Sequence, residues 1–308
     1  MEIKREQNEG EFKRQEDAFR HWVTTDGSTG YKADPDRYHL YVSLACPWAH
    51  RTLIVRKLMG LEAVIGATIL DPVRDERGWR FGVGDGFSED PVNGFRFLRE
   101  AYVATDDRWR GRVTVPVLWD REMGRIINNS EDDICMMFCR AFSDFVSSDY
   151  DLFPDEKTDE QALWRDRIYE NVNNGVYRAG FAGTQAVYAR WANRVFETLD
   201  LLEDRLADRR YVMGDHITEV DWRLFCSLVR FDAVYYVHFK CNMRRIADYP
   251  HLSGYLCDLY QMDGIAETVN LDHIKRHYYM THPEINPTRF VPIGPADLEF
   301  NGSHGRGA

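Results

Sequence analysis

Residues 39–61 restrict the fold more than any other stretch. His39-Leu-Tyr-Val-Ser-Leu44 has the apolar and aromatic character of a strand, and Cys46-Pro47 follows it almost at once. Proline fits the first turn of a helix, where its missing N–H has no partner to lose, so a helix is expected from Pro47 to about Leu61. Val64 to Leu70 reads as a second strand. Thr114-Val-Pro-Val-Leu-Trp119 reads as a third, followed by a turn at Glu122-Met-Gly124 and a fourth strand at Arg125-Ile-Ile127. Ser130-Glu-Asp-Asp133 then opens a helix carrying Ile134, Met137, Phe138 and Phe142. Ser130 is a natural N-cap, and three acids suit the positive end of the helix dipole. The order β-α-β, β-hairpin, α describes a small α/β domain over residues 38–145. It contains a long Gly-rich, charged excursion at 71–113, and long excursions often carry function.

Beyond a polar, proline-containing linker at 144–156 the chain reads as helical. Thr158-x-x-Gln161 is a capping box opening a helix through about Ala179. Val187, Trp191, Val195, Leu199, Leu202 and Leu206 recur at i+3/i+4, the stripe of a buried helix. Thr218 and Asp221 form a second capping box, with Ile217 and Trp222 placed as a hydrophobic staple, and that helix is expected to reach about Phe231. An all-helical domain is therefore expected over 157–284. Residues 285–308, with Pro287, Pro292 and Pro295, form an extended tail. Residues 1–37 form an N-terminal extension without a clean period, in which Phe12, Phe19 and Trp22 are the side chains able to pin it to the body.

The chain of 308 residues is long enough for two domains, each with a proper core. Its net charge of −11 argues against nucleic acid and anionic membranes as general partners. An anionic ligand would need a local positive site. The start, Met1 to Glu6, is charged and has no apolar signal core, and no apolar run approaches a membrane span. Six cysteines without a C-x-x-C pair read as thiols of a reducing compartment, so a cytoplasmic location is expected.

Three elements can carry chemistry. Cys46 is delivered by a strand to the first turn of a helix, where unpaired N–H groups and the helix dipole stabilise a thiolate. Ala49 occupies the position of a resolving cysteine, so this thiol would form mixed disulfides with an external thiol. Val115-Pro116-Val117 puts proline inside a strand pattern, where it cannot donate to the ladder. A cis peptide would resolve this and expose backbone groups to a peptide-like ligand. At Asn129-Ser130-Glu131-Asp132 a helix N-terminus can hold a carboxylate while Glu131 accepts from an ammonium group, which together suit an α-amino acid end. Each element also has a plainer reading: a core cysteine, an edge-strand proline, an ordinary helix cap. His238 and Cys241 have half the spacing of a metal site, but no second pair completes it, so no metal is expected.

Taken together, Cys46-Pro47, Val115-Pro116, Ser130-Glu131 and Ile217-Thr218-x-x-Asp221 resemble the glutathione transferase superfamily. Cys46-Pro-Trp-Ala-His-Arg51, Asn173-Asn-Gly-Val-Tyr177, Arg230-Phe-Asp-Ala-Val-Tyr235, His238-Phe-Lys-Cys-Asn242 and His273-Ile-Lys-Arg-His-Tyr278-Tyr279 narrow the resemblance to its glutathionyl-hydroquinone reductases, the Xi class. That resemblance implies an α/β thioredoxin-like N-terminal domain plus an all-α C-terminal domain. It implies attack by Cys46 on the sulfur of a glutathionyl-hydroquinone, release of the hydroquinone, and a Cys46–glutathione mixed disulfide resolved by a second glutathione. The glutathione site would comprise Trp79, Arg112, Val113, Pro116, Ser130 and Glu131. Tyr177, Tyr235 and Tyr278 would serve the aromatic ring, with Tyr279 as an alternative to Tyr278. Without the resemblance these tyrosines would read as core or rim aromatics. Glutathione is implied as co-substrate rather than as a tightly bound cofactor, and the assembly implied is a homodimer. The alternative reading is a broader, omega-like cysteine transferase with thioltransferase or dehydroascorbate reductase activity. A non-catalytic interaction module is a third, against which the retained Cys46 motif counts.

Overall fold

A computed structural model describes residues 7–8, 10–145, 148–155 and 158–306. The charged start at Met1–Glu6, part of the expected linker, and the side chain of Thr158 as a helix cap lie outside what is described. Contacts divide the chain into a helical unit (1–15, 151–266 and 278–308) and a sheet unit (16–150 and 267–277). The first regular structure, in the helical unit, is a minimal antiparallel hairpin of β1 (Gln7–Asn8) and β2 (Glu11–Phe12).

The sheet unit contains β3 (Tyr38–Val42), α1 (Pro47–Leu58), β4 (Gly66–Ile69), α2 (Arg99–Thr105), β5 (Val117–Asp120), β6 (Arg125–Asn128) and α3 (Glu131–Arg140). Strand order is β4-β3-β5-β6; β3 is parallel to β4 and antiparallel to β5, and β5 is antiparallel to β6. The interior position of β3 explains its run of buried residues without alternation. Its register sets His39 opposite Gly66, where a Cβ would lie 2.7 Å from the imidazole, so the pairing requires glycine. Helix α1 packs against α3, and α2 against β6. Helix α1 stops a turn earlier than expected: Gly60, at φ +68°, ends it, and a 3-10 turn at Leu61–Ala63 leads into β4.

Two other expectations shift. The strand expected from Thr114 begins only at Val117, after a cis Val115–Pro116 peptide, so Pro116 takes no ladder position. Part of the N-terminal extension joins the sheet edge. Arg20 bridges Asn128, and His21 N–H donates to Ile127 O at 3.1 Å.

The helical unit contains α4 (Thr158–Ile168), α5 (Gly175–Gly180), α6 (Gln185–Leu206), α7 (Glu219–Arg230) and α8 (Pro250–Tyr260). Helix α9 (Leu271–Thr281) contributes residues up to His277 to the sheet unit and the rest to the helical unit. The continuous helix expected from residue 158 to 179 is interrupted by a π-helical turn at Tyr169–Asn173, and a second π turn at Phe231–Tyr235 follows α7. A π turn holds one extra residue and re-aims the side chains after it. In α6 the stripe Trp191, Val195, Leu199, Leu202 and Leu206 is buried while Val187 is half-buried, and Thr184 caps the helix by accepting Val187 N–H at 3.3 Å. The expected capping box opens α7. The buried Asp221 carboxylate accepts 2.8 Å bonds from Thr218 N–H, Val212 N–H and the Tyr255 hydroxyl. The tail carries no helix or strand among the described residues, and Arg306 donates to Leu206 O, at the carbonyl end of α6. No helix of the described residues is long and apolar enough to cross a membrane.

Candidate active site

Cys46 occupies the N-cap of α1 in extended backbone geometry (φ −81°, ψ 120°). Its N–H donates to Ser43 O at 3.1 Å and its carbonyl accepts His50 N–H at 2.9 Å, so these backbone bonds hold the half-buried side chain at the positive end of the helix. The thiol donates to Val115 O at 3.8 Å, which places it against the loop before β5. That loop is held rigidly. The Tyr102 hydroxyl donates to Thr114 O at 3.0 Å and accepts Thr114 N–H at 3.1 Å, while Asn129 Nδ2 donates to the Thr114 hydroxyl at 3.2 Å. Val113 and Val115 are buried and Arg112 is half-buried.

Asn129, read from sequence only as part of a helix start, is the junction of this region. Besides holding Thr114, its Oδ1 accepts Phe19 N–H at 2.9 Å. The next residue departs from expectation: Ser130 has the N-cap backbone, but its side chain makes no capping bond to α3. Its N–H instead donates to Asn128 Oδ1 at 2.7 Å.

Glu131 is buried beside Arg51, whose guanidinium lies 3.4 Å from one carboxylate oxygen and also pairs with Asp132. Burial pushes the Glu131 carboxyl up to about 7. Asp132 adds to that rise, and Arg51 opposes it without overcoming desolvation. Trp79 forms a separate stack in the sheet unit. The His277 ring lies parallel to it at 5.1 Å, Arg74 lies 4.9 Å from its ring centre, and His277 Nδ1 is 2.7 Å from Pro72 O. Sequence reasoning missed Arg51, His277 and Tyr102, because each acts through a partner distant in the chain.

In the helical unit Tyr177, Tyr235 and Tyr278 come together. The Tyr278 hydroxyl hydrogen-bonds that of Tyr177 and lies 3.1 Å from that of Tyr235. Ring centres are 5.6–6.3 Å apart. Tyr177 and Tyr235 each lie in or just after a π turn, the local device that turns them toward Tyr278. Burial pushes the pKa values of Tyr235 and Tyr278 well above the ordinary phenol value, so both stay neutral donors at working pH. Tyr279 points elsewhere, donating to Ala233 O at 3.2 Å. Phe239 lies parallel to Tyr235 at 5.5 Å and edge-on to Tyr177 at 5.1 Å. Its ring leaves no room for a Cβ at Gly180, which would lie 2.2 Å away, so glycine is required there. His238 and Cys241 have separate partners: His238 Nε2 is 3.1 Å from His282 Nδ1, and the Cys241 thiol, pushed up to about 12 by burial, donates to Phe239 O at 4.0 Å. No disulfide joins the described cysteines.

Residues 45–141 match the glutathione S-transferase N-terminal domain model, and residues 185–256 match the C-terminal domain model. The chain is 48% identical to the glutathionyl-hydroquinone reductase YqjG of Escherichia coli, over 96% of this chain and 92% of that protein. It is 46% identical to the glutathionyl-hydroquinone reductase PcpF of Sphingobium chlorophenolicum, over 93% and 90%. The glutathione-bound structure of YqjG aligns with a TM-score of 0.91, covering 94% of this chain and 96% of that one at 47% identity. The Xi glutathione transferase of Phanerochaete chrysosporium aligns with a TM-score of 0.90 at 43% identity, covering 93% and 98%.

Proposed function

The chain belongs to the glutathione transferase family, in its Xi class, and we propose that it reduces glutathionyl-hydroquinones to hydroquinones with glutathione as reductant. The observation that carries this reading is the cluster of three hydrogen-bonded phenols, Tyr177, Tyr235 and Tyr278. A thiol enzyme acting only on small disulfides has no use for it. In the first half-reaction the Cys46 thiolate attacks the glutathionyl sulfur. The new S–S bond forms as the sulfur–ring bond breaks, the electron pair passes into the ring, and a proton is delivered to the ring carbon. In the second, a glutathione thiolate attacks the mixed disulfide, expels the Cys46 thiolate and leaves as oxidised glutathione. The sum converts one glutathionyl-hydroquinone and one glutathione into one hydroquinone and one oxidised glutathione.

Ser130 and the first amides of α3 take the α-carboxylate of the γ-glutamyl group, and Glu131 takes its ammonium. The loop of Arg112, Val113 and Pro116 frames the peptide backbone of glutathione, and Trp79 closes the site. Tyrosine hydroxyls bind the ring oxygens and assist protonation. The assay that tests the reading follows product release from a glutathionyl-hydroquinone, with dehydroascorbate and a small glutathione mixed disulfide in parallel. Equal amounts of hydroquinone and oxidised glutathione are expected. Fast dehydroascorbate reduction without hydroquinone release would instead support an omega-like transferase.

The raised pKa of Glu131 gives a pH prediction. An ammonium partner binds only the ionised carboxylate, so binding must remove the proton. Affinity for S-methylglutathione, which has no thiol to titrate, is expected to fall as pH drops below about 7. The fall should approach roughly tenfold per pH unit. Calorimetric titrations from pH 5 to 8 read this slope, and Glu131→Gln should flatten it; an equally steep slope in the variant would remove Glu131 from that role. The proposed assembly is a homodimer, and light scattering reporting only monomer at micromolar protein would refute it.

A further inference from the structure

We propose that residues 10–14 form part of the site that takes the aromatic ring, and that Arg14 favours rings departing with negative charge on oxygen; this rests on the hydroquinone reading above. The segment is held to the helical unit through its backbone. Gly183 N–H donates to Gly10 O at 2.8 Å, and a Cβ at Gly183 would lie 3.0 Å from the Gly10 Cα. The Glu11 carboxylate accepts Trp191 Nε1–H at 2.9 Å and pairs with Arg190 at 2.5 Å. These contacts deliver two side chains to the phenol cluster. The Phe12 ring is buried 6.0 Å from Tyr177 and 5.7 Å from Phe181. The Arg14 guanidinium lies 5.6 Å from the ring centres of both Phe12 and Tyr177. Arg14 Nε donates at 3.2 Å to Oδ1 of Asn174, the residue joining the π turn to α5 and so to Tyr177.

Tyr177 is also the most accessible of the three phenols, 9% exposed against 0% for Tyr235 and 1% for Tyr278. A ring reaching the cluster therefore meets Tyr177 and, beside it, a fixed positive charge. Once the sulfur-bearing carbon has taken its proton, breaking the sulfur–carbon bond returns the electron pair to the ring, which regains aromaticity with the negative charge on its oxygen as a phenolate until a second proton arrives. A cation fixed beside Tyr177, 5.6 Å from its ring centre, favours negative charge on a ring docked against that tyrosine over the neutral ground state. Arg14 thereby stabilises the leaving group while Tyr177 donates to it, and Phe12 supplies the apolar wall.

The test compares the full-length protein with Arg14→Gln and Arg14→Lys on three substrates: a glutathionyl-hydroquinone, its chlorinated counterpart, and the mixed disulfide of glutathione with mercaptoethanol. Arg14→Gln is expected to lower kcat/KM roughly tenfold on the unsubstituted ring. The loss should shrink on the chlorinated ring, whose phenolate is already stabilised, and vanish on the ringless disulfide. Arg14→Lys should recover most of the rate. Equal losses on all three substrates would mean that Arg14 only holds the segment in place, and a loss under twofold on the unsubstituted ring would also overturn the proposal. Wild-type protein releasing no hydroquinone would overturn the functional reading and this proposal together. Active wild type with an insensitive Arg14→Gln overturns this proposal alone.

Discussion

Cys46→Ser is expected to abolish hydroquinone release, by roughly 10⁴-fold or more, the scale on which removal of a nucleophile acts. Every step runs through this sulfur: it accepts the glutathionyl group and is the group displaced by the second glutathione. A serine oxygen forms no mixed disulfide and is not ionised at neutral pH. The fold should be untouched. Cys46 holds its place through main-chain bonds to Ser43 O and His50 N–H, which serine keeps, and serine is a preferred N-cap. A serine hydroxyl can still donate to a glutathione thiolate, so slow conjugation to an electrophile is expected to emerge. Steady-state turnover alongside a urea midpoint separates lost chemistry from lost structure. Activity within tenfold of wild type would remove Cys46 from the mechanism.

Tyr278→Phe is expected to slow hydroquinone release roughly tenfold or more. Its hydroxyl is bonded to Tyr177 and within 3.1 Å of Tyr235, so one substitution removes both of these contacts while the buried ring area stays. Reduction of a ringless glutathione mixed disulfide should barely change, because Cys46 and the glutathione residues are intact. Tyr279→Phe is the matched control. Its hydroxyl donates to Ala233 O outside the cluster, so no selective loss on the ring substrate is expected. Equal losses on both substrates for Tyr278→Phe would make the tyrosines structural.

What was legible in the sequence was local. The Cys46-Pro47 junction, the Thr218–Asp221 capping box and the α6 stripe each declare themselves within a few residues, and each forms. The π turns at 169–173 and 231–235 did not declare themselves, because one extra residue in a turn disappears inside a periodicity window. Yet those turns aim Tyr177 and Tyr235. The Ser130 hydroxyl was expected to cap α3 and does not, since residue type sets a cap propensity but not the side-chain rotamer. The roles of Asn129, Arg51 and His277 depend on partners far away in sequence: Phe19, Glu131 and Pro72 respectively. The contact units are also discontinuous along the chain, with 267–277 joining the sheet unit and 1–15 the helical one, whereas sequence can draw only contiguous boundaries. The division at 38–145 and 157–284 stands as a proposal about which segments fold together.

If Cys46 carries the glutathionyl group between the two half-reactions, the adduct can be trapped. Intact-protein and peptide mass spectrometry after mixing the protein with one equivalent of a glutathionyl-hydroquinone, free glutathione withheld, tests this directly. The expected result is one glutathionyl group on Cys46, an equal amount of hydroquinone in solution, and loss of the adduct as oxidised glutathione once glutathione is added. Hydroquinone released with Cys46 unmodified, or with the adduct on another cysteine, would contradict it.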